Sequence, residues 1–261
     1  MDVVIQPTAD AACRLVARVI AGELRRKPHL VLGLATGATM EGVYRELVRL
    51  HREEQLDFSR CRTFNLDEYI GLTPADPNSY HRFMREHFFD PVNMDLRQTH
   101  LPDGCAADLD MECRRYEEAI RRAGGIDLQI LGIGKAGHIG FNEPLSAFRS
   151  RTRVKALSPV TLKQNAPQFV DPSKMPRRAI TMGVGTILDT SRCLLLATGA
   201  AKADIMARAV EGPITAMISA TALQLHPRCS VVVDEDAAAR LQGVAYYRWT
   251  FENEPEWEAF R

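Results

Sequence analysis

No cysteine of this chain stands in a C-x-x-C pair or at finger-like spacing from a histidine. The six that occur, Cys13, Cys61, Cys105, Cys113, Cys193 and Cys229, are scattered and read as reduced, mostly packed thiols. Excess charge of one sign is missing too, since 33 Lys plus Arg balance 33 Asp plus Glu. No global basic field draws in nucleic acid or an anionic membrane, so any anion site must be local. No apolar run approaches the roughly eighteen residues of a membrane span, and MDVVIQPTAD lacks the basic and apolar regions of a secretory leader. These absences predict a cytoplasmic protein. Repeats, low-complexity tracts and linkers rich in Pro, Gly or Ser are lacking as well. With 261 residues and 46% hydrophobic content, one domain over 1–261 is expected.

What is present is an alternation. Short apolar, β-branched runs at 29–34, 62–66, 126–134, 152–157, 178–183, 192–198 and 229–234 read as strands. Amphipathic stretches lie between them, most clearly at 8–26, 39–54 and 108–125, with shorter ones after Lys202 and Pro213. Strands joined by crossover helices predict an α/β fold with a mostly parallel sheet. Residues 145–176 hold Pro159, Pro167, Pro172 and Pro176 and are the least regular stretch. They read as a lid over a site or as a passive surface loop.

Ligands of open α/β sheets gather at the carboxyl ends of strands. Four predicted strands end in polar or glycine-rich sequence: ATGAT, DEY, KAGHIGFNEP and GAAK. Thr36, Gly37, Ala38 and Thr39 lead from a strand into a helix whose first N–H groups are free, which suits a phosphate. An ordinary helix cap by Thr36 or Thr39 is the alternative. Lys202, where a second strand turns into a second helix, can place a point charge on the same phosphate or remain a solvated lysine.

Gly132, Gly134 and Gly137 spell G-x-G-x-x-G, but Gly140 and Pro144 interrupt any helix that should follow. No acid stands at the end of the next strand either, so a dinucleotide site is not expected. The glycines point instead to a backbone that something approaches closely. His138 and Glu143 have the chemistry of a proton-transfer pair, because imidazole titrates near neutrality and a carboxylate can orient and charge it. A histidine that braces the loop is the alternative. Asp67 and Glu68, placed at a strand end, could supply a general base or cap a turn. Metal is the weakest option there, because no ligand spacing of histidine and carboxylate lies nearby.

In order along the chain, LGLATGAT, FNLDEYIGL, SYHRFMREHFF, GIGKAGHIGFNEP, SRTRVK, ITMGVGTI, TGAAKA and LQLHP resemble the glucosamine-6-phosphate deaminase (isomerising) family. The likeness runs to about residue 236. It implies a single Rossmann-like domain: an open, mostly parallel sheet with helices on both faces and a lid excursion. It also implies a cytosolic, hydrolase-class enzyme of amino sugar catabolism. Such an enzyme converts glucosamine 6-phosphate and water to fructose 6-phosphate and ammonia, with no cofactor. Carried across, Asp67 would be the base at C2, His138 would open the pyranose ring, and Glu143 would hold and tune that histidine. Thr36 to Thr39 and Lys202 would bind phosphate, and the glycines would let the sugar lie against the backbone.

Arg153 and Lys155 match a pair with which some members, as hexamers, bind the effector N-acetylglucosamine 6-phosphate, so a homo-oligomer is a candidate state. Two residues depart from the family pattern. Ala136 stands where Asp or Asn is usual, and Pro167, in QNAPQFVD, stands where an arginine usually grips phosphate. The alternatives on this scaffold are a galactosamine-6-phosphate deaminase, a 6-phosphogluconolactonase and a non-catalytic sugar-phosphate sensor.

Overall fold

All seven expected strands form in the computed structural model, which describes residues 1–261. In chain order the strands are β1 (Asp2–Gln6), β2 (Val31–Leu34), β3 (Arg62–Asn65), β4 (Asp67–Tyr69), β5 (Thr99–His100), β6 (Leu128–Leu131), β7 (Arg153–Ala156), β8 (Arg178–Thr181), β9 (Cys193–Ala197) and β10 (Cys229–Asp234). The helices are α1 (Ala9–Arg26), α2 (Ala38–Glu54), α3 (Tyr80–Met84), α4 (Leu109–Arg122), α5 (Pro159–Asn165), α6 (Val184–Leu188), α7 (Ala203–Val210), α8 (Glu235–Ala238) and α9 (Val244–Asn253). The helix expected after Pro213 is a 3₁₀ segment, Ser219–Leu225. No helix is long and apolar enough to cross a membrane.

Seven strands make one parallel sheet in the order β1-β10-β9-β6-β2-β3-β5. β2, β6, β9 and β10 are buried along their whole length, as strands covered on both faces must be. α1 shows how the sequence builds that cover. Thr8 accepts a hydrogen bond from Ala11 N and starts the helix, and Ala12, Leu15, Val16, Val19 and Ile20 form its buried stripe.

β7 and β8 do not join this sheet, which corrects their placement among the parallel strands. With β4 they form a separate antiparallel sheet, β4-β8-β7. The reason is legible in β7, where Arg153 and Lys155 alternate with Val154 and leave the strand half-exposed, a poor fit to a sheet covered on both faces. Leu66 is the crossing point between the sheets. Its N–H donates to Leu34 O at 3.0 Å in the first, and its carbonyl accepts from Met182 N at 2.7 Å in the second. DEY is therefore a strand of the small sheet and does not end one in the large sheet.

The excursion at 145–176 is more ordered than its prolines suggest. Ser158 caps α5 through Thr161 N, with Pro159 in the first turn, and Pro167 and Pro172 stand second and first in two 3₁₀ turns, Ala166–Gln168 and Pro172–Lys174. Leu157, Phe169 and Met175 pack with Tyr69, Phe141 and Ala179 into a second, small core beside the main one.

One topological feature positions the site. From β2 the chain builds outward through β3 to β5, and α4 then returns it to β6 on the other side of β2. Strand order reverses there, and a crevice opens outside the carboxyl ends of β2 and β6.

Candidate active site

A cavity of about 300 Å³ occupies this crevice and collects every residue expected of the catalytic and phosphate sites except Glu143, which lies just behind His138. A larger groove of about 1060 Å³ runs along α4 past Arg151 and Thr152 and holds none of them.

At one end of the cavity Gly37 takes φ +106° and precedes α2 with no side-chain cap. The capping alternative for Thr36 and Thr39 is therefore not realised, and the first N–H groups of a long helix face the cavity with its positive dipole end. Lys202 closes a 3₁₀ turn before α7 and donates from Nζ to Ile133 O at 2.6 Å. It is half-buried against the glycine loop, not extended into solvent. Burial, and then the charge of Lys135, hold its ammonium below the ordinary lysine range.

Gly132, Gly134 and Gly140 line the cavity, and two glycines of the loop also make room for the protein's own side chains. A Cβ on Gly134 would lie 2.1 Å from His138 Nε2, and one on Gly137, at φ +78°, would meet Ile218 and Ile205 within 2.8 Å. The close approach that these two residues permit is made by the protein's own side chains. No helix follows the loop, in keeping with the rejection of a dinucleotide fingerprint.

His138 is 7% exposed and Glu143 3%. Nδ1 of the ring stands 3.7 Å from Glu143 Oε2, and neither atom has a hydrogen-bond partner. Burial lowers the proton affinity of His138, with Glu143 opposing and Lys202 assisting. Ala136, half-exposed on the same loop, offers nothing to the ring. The carboxylate is held from its other side, where Glu143 Oε1 accepts from Ser158 N at 2.9 Å.

Asp67 faces the cavity from β4 and is buried. Burial, and then the neighbouring Glu68, push its carboxyl up to about 8. Glu68, next in the strand, points the other way, as alternation along a strand requires. It accepts from Tyr69 N at 2.7 Å, Ser79 Oγ at 2.7 Å and His81 N at 3.1 Å. Of this acidic pair, Glu68 is spent at the start of α3, as the capping option has it, and Asp67 is left facing the cavity.

Arg153 is committed to the loop that carries Glu143, donating to Asn142 Oδ1 at 2.9 Å and Ser146 Oγ at 3.0 Å. Lys155 lies further along β7, half-exposed. Pro167 is exposed at the cavity's rim, and its neighbours Gln164, Asn165 and Gln168 line the cavity together with Tyr80. Sequence reasoning did not single out these four, nor Asn142, whose amide donates to Ile139 O at 2.9 Å and Met182 O at 2.8 Å. Asn142 was open to notice, lying inside FNEP; the carboxamides of Gln164, Asn165 and Gln168 carried no signal beyond proximity to Pro167.

The sequence model of the family described as glucosamine-6-phosphate isomerases/6-phosphogluconolactonase matches residues 6–231. A glucosamine-6-phosphate deaminase of Arthrobacter sp. (strain FB24) is 48% identical over 99% of both chains. One from Hahella chejuensis is 49% identical over 95% of both. Among solved structures, a monomeric glucosamine-6-phosphate deaminase superposes with a TM-score of 0.90 at 44% identity, covering 92% of this chain and 100% of its own. A 6-phosphogluconolactonase from Thermotoga maritima shares the fold at a TM-score of 0.72 and 20% identity, over 90% of this chain and 100% of its own. The chain belongs to the glucosamine-6-phosphate isomerase/6-phosphogluconolactonase family.

Proposed function

We propose that this protein converts glucosamine 6-phosphate and water to fructose 6-phosphate and ammonia. The observation that carries the reading is one cavity in which a buried carboxyl, Asp67, and a buried imidazole, His138, share the walls with an anion-suited end, Thr36 to Thr39 and Lys202. The phosphate docks at the start of α2 and against Lys202. His138, kept neutral by burial, takes the proton of the anomeric hydroxyl and delivers one to the ring oxygen, which opens the pyranose. Glu143 places a negative charge 3.7 Å from Nδ1 and steadies the ring while it is protonated.

Asp67, as the carboxylate, then removes the proton from C2 while the C1 oxygen gains one, giving an enolamine. Return of a proton to C1 leaves an imine at C2, which water hydrolyses with release of ammonia. The burial that raises Asp67 also makes it a stronger base once ionised, and the substrate's own ammonium at C2 favours that ionisation on binding. Lactone hydrolysis would give such a base no role.

In this reading 1–261 acts as one domain, and 145–176 is its lid, since α5 sets Gln164 and Asn165 on the cavity. A doubly charged sugar phosphate does not cross a bilayer unaided, so we place the enzyme in the cytoplasm with it. Arg153 and Lys155 would act as an effector pair only in an oligomer; sigmoidal kinetics made hyperbolic by N-acetylglucosamine 6-phosphate would reveal it. The function itself is tested with purified protein and glucosamine 6-phosphate, without added metal or nucleotide. Ammonia and fructose 6-phosphate should appear in equal amounts. Hydrolysis of 6-phosphogluconolactone with aminosugar phosphates untouched would overturn the reading, and binding without turnover would make the protein a sensor.

A further inference from the structure

The phosphate end of the cavity is short of positive charge. Lys202 is the one lysine or arginine among the residues that line it, whereas a phosphate monoester carries about 1.5 to 2 negative charges at pH 7. Pro167, exposed on the rim, brings no donor. Lys135, by contrast, projects from the same loop two residues beyond Ile133, whose carbonyl holds Lys202. Its backbone N–H donates to Gln164 Oε1 at 3.0 Å, which ties it to the lid helix at the cavity's edge. That bond uses the carboxamide oxygen of Gln164 and leaves its amide nitrogen free beside the cavity.

The lysine ion pairs of this molecule are Lys27 with Asp127 and Lys174 with Asp171, so neither Lys135 nor Lys202 has a carboxylate partner. Lys135 is also near enough for its charge to lower the proton affinity of Lys202. Two unpaired cations that meet the same loop repel one another in the free protein, and an anion between them turns that repulsion into attraction.

We propose that Lys135 is the second cation of the phosphate site, and that Gln164 seats it there from the lid while aiming its own amide N–H at the same anion. The inference rests on the sugar-phosphate reading of the cavity. It makes the lid a participant in binding, since α5 carries one of the contacts.

Steady-state kinetics on glucosamine 6-phosphate, run at several ionic strengths, test it. Lys135→Glu should raise KM about tenfold and change kcat by less than about twofold, because a rim charge acts on capture of the anion and not on proton transfer. Lys135→Arg should keep KM within about twofold of wild type, and Gln164→Ala should raise it about threefold. Added salt should raise the wild-type KM more steeply than that of Lys135→Glu. An unchanged KM in Lys135→Glu, or a fall in kcat at constant KM, overturns the proposal. If the wild type releases no ammonia, the deaminase reading fails first, and calorimetry with inorganic phosphate then reads the site directly. Weaker phosphate binding by Lys135→Glu supports the second cation; equal binding refutes it. Equal melting temperatures of the variants show that the comparison is between folded proteins.

Discussion

Gly134 and Ala136 stand two residues apart and act on His138 in opposite ways. Gly134 makes room for the ring, since any Cβ there would collide with Nε2. Ala136 withholds a partner from it, and Nδ1 is left buried with Glu143 at 3.7 Å and no hydrogen bond. If ring opening depends on charging that imidazole, a carboxylate at 136 should help. Ala136→Asp should therefore raise kcat on glucosamine 6-phosphate, by up to about tenfold for 1.4 kcal/mol of added stabilisation. The gain should be smaller on an open-chain substrate, which bypasses His138. Equal rates with both substrates before and after the change would mean that Ala136 suits another sugar or another setting of the ring. At this scale the candidates His138 and Glu143 could be picked out, because few residue types can move protons near neutral pH and both lie in one loop. Their supports could not. Ser158 N–H, which holds Glu143, is a backbone donor fifteen residues away that any amino acid but proline could supply.

Whole elements were legible where apolar runs were long. β2, β6, β9 and β10 announce themselves by continuous burial, whereas β4 is three residues of DEY and β5 only two. Such short strands are fixed by their partners, and β4 exists because Leu66 hands the chain from one sheet to the other. The prolines of 145–176 misled in a specific way, marking starts of helical turns more than loss of order. Leu145 opens that segment in the left-handed region at φ +68°, with its side chain 73% exposed and its N–H bonded to Ala216 O at 2.8 Å. A leucine there gains little from burial and carries strain of about 1 kcal/mol or more. Leu145→Gly should raise the melting temperature by about 2–4 °C, measured calorimetrically. A lower melting temperature would show that the exposed side chain makes a contact worth more than the strain.

The last thirty residues, beyond the family match, offered no motif, yet they help close the whole molecule. Trp257 is fully buried in the main core, with the Arg192 guanidinium 6.0 Å from its ring centre, and Arg192 pairs with Glu256 at 2.6 Å and Glu23 at 3.3 Å. This closure was not legible because two tryptophans, Trp249 and Trp257, in a charged tail give no periodicity to read, and only the second is buried. Trp257→Ala should cost about 3–5 kcal/mol of stability, seen as a lower urea midpoint. A loss below about 1 kcal/mol would mean the tail is only laid on the surface. The central claim, however, concerns the cavity, where fold, family and chemistry meet at Asp67. A base must lose its proton to act, so wild-type kcat/KM should rise with pH through about 8, the value to which burial and Glu68 push this carboxyl. The direct test is turnover of glucosamine 6-phosphate by Asp67→Asn, followed beside substrate binding. Ammonia release should fall by about 10²- to 10⁴-fold while binding is retained. Near-normal turnover in the mutant, with the rise through pH 8 intact, would contradict the account and remove Asp67 from the reaction.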